Sequence, residues 1–264
     1  MRVVVRAAVF TLGLVFSSSL GFAQIAQTGP AALARQMPTI YGPYLANISR
    51  VRILGKRNGS ASSTSRVPNG PSTSGSSGQT RSNPQPVIVK RTFNLHDTSF
   101  TPVQGPFVPQ QLARVLGGTS QERQSIQDTL TKCLDFYTES AKQKGVPLND
   151  VSLALNYYLS TNYFVYSRGS GPTTSQMTAT RDMIRQNLVQ DTNFRQMSDR
   201  DKQQSYETLI VLAGFVDLGY GAMKQNSNDG GAEQFRDMAR HNLETLLGAP
   251  ISKIHYTDSG LTVE

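Results

Sequence analysis

From Pro109 onward the apolar positions of this 264-residue chain recur every three or four residues, which is the spacing of one face of a helix. Thr119 followed by Glu122 is a capping-box pair that opens the first long run. Ile126, Leu130, Cys133, Leu134, Tyr137 and Ala141 fall on one face of it, and Asp128, Lys132, Asp135, Glu139 and Lys142 on the other. Gly145 and Pro147 are its stop signals. The next helix, from about Asn149 to Ser167, is apolar almost all round, with Val151, Leu153, Leu155, Tyr157, Tyr158, Leu159, Tyr163, Phe164, Val165 and Tyr166. Such a helix belongs at the centre of a bundle. Ser152, Asn156 and Ser160 draw a thin polar stripe along it, facing either water or another helix.

A loop over 169–173 leads to a third helix, about Thr174 to Gln190, with Met177, Ile184 and Leu188 inward. Ser198 with Asp201 opens a fourth that reaches about Lys224 and carries Leu209, Leu212, Phe215, Val216, Gly219 and Met223. Gly214, Gly219 and Gly221 lie inside this helix, where their expected role is close helix packing. After Asn226 to Gly231, a fifth helix uses Phe235, Met238, Ala239, Leu243 and Leu246, and Gly248 and Pro250 end it. Ile254 to Tyr256 and Leu261 to Val263, around Asp258-Ser259-Gly260, read as a small hairpin. Val87 to Val89 is a further strand candidate. The fold expected is all-α, a bundle of about five helices with a small β-hairpin or three-stranded patch, over residues 87–264.

Three shorter segments precede it. Residues 1–23 have the layout of a secretory signal peptide: Arg2 and Arg6, an apolar run over 7–16, then small Gly21 and Ala23 before a cleavage point between Ala23 and Gln24. The apolar run is shorter than the roughly 20 residues a membrane-spanning helix needs. Residue 24 is not a cysteine, so no lipid is expected at the new terminus. Residues 56–86 hold nine Ser, four Gly and four Pro in 31 positions, with Ala61 and Val67 the only aliphatic side chains. That composition cannot offset its ordering entropy and reads as a disordered linker, with an r.m.s. span of about 30 Å. Between them, residues 24–55 form a basic and apolar arm. Tyr41, Tyr44, Leu45, Ile48 and Val51 interleave there with Arg50 and Arg52, and Lys56 and Arg57 follow.

Charge follows the same division. Residues 24–104 hold nine Lys/Arg against one Asp, a balance of +8, whereas residues 105–264 hold 15 basic and 17 acidic side chains, a balance of −2. The arm residues Tyr41, Tyr44, Arg50, Arg52, Lys56 and Arg57 are therefore the expected contact with an anionic envelope component or a periplasmic partner protein. An exported chain rarely meets nucleic acid, and none is expected here.

Reactive constellations are scarce. The three histidines, His96, His241 and His255, have no neighbours at metal-ligand spacing, and neither a G-x-S-x-G elbow nor a phosphate-cradling glycine loop occurs. No metal, cofactor or catalytic residue is expected. Cys133, the single cysteine, falls on an apolar face and reads as a buried, inert thiol. A cell-wall hydrolase would need a carboxylic acid in an apolar cleft. Glu122 reads as a cap and Glu139 lies on a charged face. Glu207 is the best candidate, since Tyr206, Leu209 and Ile210 adjoin it, but Lys202 and Gln203 draw it toward water. Asp217 lies over small residues of its helix with Lys224 one face-turn away, so Asp217, Glu207 and Lys224 define a candidate polar groove. The tyrosines at 157, 158, 163 and 166 either line a pocket or fill the core.

Phe100-Thr101-Pro102, the Asp150 to Tyr166 segment with Asn162-Tyr163 and Val165-Tyr166, and Ser198-Asp199 with Lys202-Gln203 and Tyr206-Glu207 together give the helical half a familiar look. Over about residues 98–225 it resembles a family of exported bacterial proteins catalogued as a domain of unknown function. The resemblance implies export and a helical fold, and it transfers no site. The function expected is that of a non-enzymatic exported helical interaction module. A small cell-wall-active hydrolase using a helical carboxylate is the alternative, and a chaperone-like or secretion accessory protein a third.

Overall fold

The computed structural model describes residues 98–103 and 105–264. The leader with its Ala23–Gln24 junction, the arm, the Ser/Gly/Pro-rich segment, the strand candidate at Val87 to Val89 and His96 lie outside the described residues. Within them the chain forms seven α-helices and one two-stranded antiparallel sheet. In chain order these are α1 (Val108–Leu116), α2 (Ser120–Gln143), α3 (Val151–Tyr166), α4 (Thr174–Gln190), α5 (Thr192–Gln196), α6 (Asp199–Gln225) and α7 (Asp229–Leu247). A 3₁₀ turn (Ile251–Lys253), β1 (Ile254–Thr257) and β2 (Gly260–Val263) complete the chain. No helix among the described residues is long and apolar enough to cross a membrane.

Local chemistry sets the helix starts. Thr119 and Glu122 form the expected reciprocal capping box on α2, and Thr173 with Gln176 forms a second on α4. Asp150 accepts from the backbone N–H groups of Ser152 and Leu153 at the start of α3. Ser198 accepts from Asp201 N–H at the start of α6. Each such cap satisfies donors that a helix leaves unpaired.

Two helices exceed the five the periodicity predicts. The α1 run is only nine residues long, and its first amides are satisfied from a distant helix, as described below. The single turn of α5 is held by Asp191, whose carboxylate accepts from Phe194 N–H at 3.0 Å, and it exists to bury the Phe194 ring. The start of α7 also differs. Gly230 and Gly231, expected as loop, lie in its first turn because Asn228 caps the helix and accepts from Gly231 N–H at 2.9 Å. A side chain at residue 231 would press on the Met223 sulfur.

The almost uniformly apolar α3 is the central helix, as its pattern requires. It packs most extensively on α6 and also on α7 and α4, while α2 and α7 flank α6. Tyr158, Leu155 and Leu159 of α3 are fully buried with Leu209, Ile210 and Phe215 of α6. A buried polar lock crosses this core. Asn242 of α7 donates to Asn162 Oδ1 at 2.9 Å, Asn162 donates to the Tyr158 carbonyl at 2.8 Å, and the Tyr158 hydroxyl donates to the Asn242 carbonyl at 3.2 Å. Every polar atom of such a network must be satisfied for burial to be tolerated.

The hairpin pairs Ile254 with Val263 through Thr257 with Gly260 and rests on α4. Gly260 has φ +100° and approaches the Thr180 backbone so closely that a Cβ there would lie 2.8 Å from its nitrogen. Only glycine meets both conditions. Thr180 Oγ1 in turn accepts from Leu261 N–H at 2.9 Å. Among the described residues no third strand joins this sheet.

The glycines of α6 divide. A Cβ at Gly214 would lie 2.9 Å from the Cβ of Cys133 on α2, and one at Gly219 would run into the Phe235 ring on α7. Gly221 faces open space, so close packing is the reason for the first two and not for the third. Gly219→Ala should therefore destabilise the fold by about 1–3 kcal/mol through overpacking. Gly221→Ala should be neutral or stabilise by up to about 1 kcal/mol. Equilibrium denaturation of the two variants checks the contrast.

Candidate functional site

Between the C-terminal half of α2, the exposed side of α3, the α3–α4 loop and the start of α4 lies a cavity of about 670 Å³. That is within the range of small-molecule sites. Its walls are mainly apolar, with Phe136, Tyr137, Val146, Leu153, Phe164 and Met177. Helical spacing explains the α3 contribution. Leu153, Asn156, Tyr157, Ser160, Thr161 and Phe164 repeat at three and four residues and share one face. The loop closes the side of the cavity through Gly169 to Thr173. It is shaped by positive φ at Arg168 and Gly169, and a Cβ at Gly171 would lie 3.1 Å from the Phe164 ring.

Three polar groups stand out in this apolar setting, two of them buried without partners. The Asn156 Oδ1 and Tyr157 hydroxyl atoms are buried without a hydrogen bond, Thr161 lying beside the hydroxyl but outside bonding geometry. Asp217 of α6 reaches the cavity as the one acid among its lining residues and is half-buried. Burial raises its carboxyl from the ordinary value of 3.8 to about 6. Burial foremost, and then the Asp217 charge, push the Tyr157 hydroxyl far up and the Cys133 thiol to about 12. Cys133 is fully buried and donates to the Thr129 carbonyl at 3.4 Å. At that pKa it stays a thiol and is no nucleophile. Lys144 and Arg181 also line the cavity, and burial lowers the Lys144 ammonium.

The structure does not assemble Asp217, Glu207 and Lys224 into one groove. Glu207 Oε2 accepts from Phe107 N–H and Val108 N–H, both at 3.0 Å, and Oε1 accepts from Gln203 Nε2 at 2.8 Å. The carboxylate is spent on the start of α1, where the helix dipole and orphan amides favour an anion. Lys224 is exposed and pairs with Asp229 at 2.8 Å. The helical-wheel proximity of Lys224 to Asp217 does not become an ion pair, because Asp229 opens the next helix directly beside the ammonium. The arm residues Tyr41, Tyr44, Arg50, Arg52, Lys56 and Arg57 lie outside the described residues.

The polar stripe of α3 has three different fates. Ser152 is buried and donates to Asp150 Oδ1 at 2.6 Å, whereas Asn156 and Ser160 line the cavity. The tyrosines split too. Tyr158 is core, Tyr157 reaches the cavity, and Tyr163 packs edge-on to Tyr256 at 4.9 Å. Asn156 and the loop are the parts that residue spacing did not single out as a site. Their signal is tertiary, since it depends on where α2 and α4 stop short of α3. His241 and His255 are exposed, and no group of three His, Cys, Asp or Glu among the described residues could hold a metal ion.

A family of unknown function, DUF6683, matches residues 58–264. The chain belongs to this family. The match is wider than the resemblance seen over 98–225, since DUF6683 takes in most of the Ser/Gly/Pro-rich segment and the terminal hairpin, and it leaves residues 24–55 outside. No curated protein and no solved structure matches the chain. The DUF6683 description carries no activity, so the cavity itself is the guide to chemistry.

A carboxyl raised to about 6 binds its proton more tightly in the folded than in the unfolded chain. Its contribution to stability is complete below about pH 4 and is lost as pH rises through about 6. Two units correspond to roughly 2–3 kcal/mol, less some solvent screening for a half-buried group. Asp217→Asn should therefore be more stable than the parent by about 2 kcal/mol at pH 7, with the gap closing by about pH 4. Urea denaturation across that range checks it, and parallel profiles would contradict the burial of this carboxyl.

Proposed function

We propose that the chain is an exported, non-enzymatic binding module whose helical domain takes a small, largely apolar ligand in the cavity beneath α2, α3 and α4. The observation that carries this reading is a mainly apolar chamber of about 670 Å³ with a single acid, Asp217, on its wall and two buried atoms without partners, Asn156 Oδ1 and the Tyr157 hydroxyl, on residues that line it. A concave, mainly apolar wall with a few polar groups is the usual make-up of a small-molecule site. The leader pattern over residues 1–23 supports export, and the +8 balance of residues 24–104 suits attachment to an anionic envelope component or a partner protein.

Cell-wall hydrolysis is the second reading, favoured by the raised Asp217 carboxyl, since a general acid needs such a shift. Glycoside hydrolysis generally employs a second carboxylate about 5–10 Å away. No other acid lines the cavity, and Glu207 is committed to α1. Binding therefore accounts for more of the geometry.

The apolar dye N-phenyl-1-naphthylamine tests the site. Its fluorescence should rise on mixing with the full chain. Ser160→Trp, placed on the cavity wall, should weaken dye binding at least tenfold with unchanged circular dichroism. Equal binding by that variant would remove the cavity from the account, and a cleared zone on peptidoglycan zymography would favour the hydrolase.

A further inference from the structure

We infer that the cavity takes an anionic amphiphile: a ligand with one acidic head group on an apolar body, the head held between Lys144 and Arg181 and the body lying toward Phe164 and Met177. This rests on the cavity being a ligand site and adds the chemistry and the orientation of the ligand. Three charged side chains line the cavity, Lys144, Arg181 and Asp217, so its wall is net positive even with Asp217 ionised. Ammonium and guanidinium groups only donate hydrogen bonds. Their complement is a head that only accepts, such as a carboxylate or a sulfonate.

The two cations stand at the same end of the cavity. The Tyr137 and Tyr157 rings meet at 4.9 Å and set the levels of α2 and α3 against each other. The two helices are joined by a short connection and run antiparallel. Lys144, seven residues after Tyr137, is therefore level with Asp150, seven residues before Tyr157. Asp150 is the N-cap of α3, and Arg185 of α4 pairs with it at 3.4 Å. Arg181 lies one turn from Arg185 on the same side of α4. Lys144 and Arg181 thus approach the start of α3 from two neighbouring helices, and both line the cavity.

The far end is apolar. Phe164 lies eleven residues beyond Leu153 on the cavity face of α3, which is about 16 Å of helical rise. Met177 of α4 and Pro172 of the α3–α4 loop complete that end. Asp217 stands elsewhere, since its charge acts on Tyr157 and Cys133. Cys133 lies eleven residues before Lys144, again about 16 Å along its helix. A basic end and an apolar end fix which way an amphiphile enters.

Both cations have capacity for a head group. Arg181 donates to Asp182 through Nε and Nη2, which leaves the Nη1 donors of the fork. Asp182 does not line the cavity, and an exposed pair of this kind contributes little. Lys144 is exposed as a residue, yet burial lowers its ammonium. Part of the side chain is therefore already out of water, and an anion beside it would offset that cost.

The test is a fluorescence titration of the full chain with two dyes of one skeleton: uncharged N-phenyl-1-naphthylamine, and 8-anilinonaphthalene-1-sulfonate, which adds a sulfonate. At pH 7.5, Lys144→Gln combined with Arg181→Gln should weaken the sulfonate dye about tenfold or more, the size of a charge contact near a protein surface. The neutral dye should stay within about twofold. Lys142→Gln, which removes an exposed charge outside the cavity, should change neither. Against bound neutral dye, decanoate should compete at an at least tenfold lower concentration than decylammonium, and this arm needs no variant. Circular dichroism confirms that each variant is folded. Equal competition by decanoate and decylammonium would overturn the anion assignment while leaving the cavity a ligand site. So would a double variant that weakens both dyes alike or neither, or an equal loss of the sulfonate dye in Lys142→Gln. Failure of both dyes to bind the full chain removes both readings.

Discussion

Close approach along α6 is the constraint on which the rest depends. This helix carries glycine where it meets α2, at Gly214 against Cys133, and again where it meets α7, at Gly219 against Phe235. Asp217 lies between these two contacts. Contacts this close leave little room to shift, because interiors are packed at crystal-like density. The carboxyl is thereby held at the edge of the α2–α3–α6 junction and is denied full solvation. Its raised pKa is a consequence of that placement, and burial is the cause.

Elsewhere the fold provides partners for most of the polar groups it buries, the exceptions among the described residues being Arg185 Nε and the Tyr256 hydroxyl. Glu207 takes three donors, two of them amides of the first turn of α1. Asp150 accepts from Thr98, Ser152 and the α3 N-terminus, and pairs with Arg185 at 3.4 Å. Asn162 and Asn242 satisfy one another across α3 and α7. These contacts also knit the chain together over long sequence distances. Thr98 O accepts from Val151 N–H, and Phe100 N–H donates to the Asn149 carbonyl, so the segment entering the domain is tied to the central helix. Two buried atoms without partners, Asn156 Oδ1 and the Tyr157 hydroxyl, occur side by side in sequence on residues that line the same chamber as Asp217.

Much of this fold was legible in the sequence, and for reasons that can be named. The starts of α2 and α6 follow from Thr119 with Glu122 and from Ser198 with Asp201, since caps act locally. The hairpin followed from alternation about Asp258-Ser259-Gly260 and is found at Ile254 to Val263. The central place of α3 followed from its all-round apolarity. Other features were less legible, the nine-residue α1 among them. A one-turn helix such as α5 leaves too few residues for a period, and α7 begins across a Gly pair that sequence rules assign to loops. The site was half legible. Asp217 stood out as an acid in an apolar run, but whether Glu207 or Lys224 joined it depended on helices distant in sequence. Glu207 was drawn away by α1, about a hundred residues earlier, and Lys224 by Asp229. Asn156 looked like one member of a polar stripe, and only the position of the α3–α4 loop distinguishes it from Ser152.

The account comes down to a carboxyl held out of water in an apolar chamber. A ¹³C NMR titration of the Asp217 side-chain carboxyl, assigned through Asp217→Asn, measures this directly. The expected midpoint is about 6. A midpoint near the ordinary 3.8 would mean that Asp217 faces water and would contradict the account.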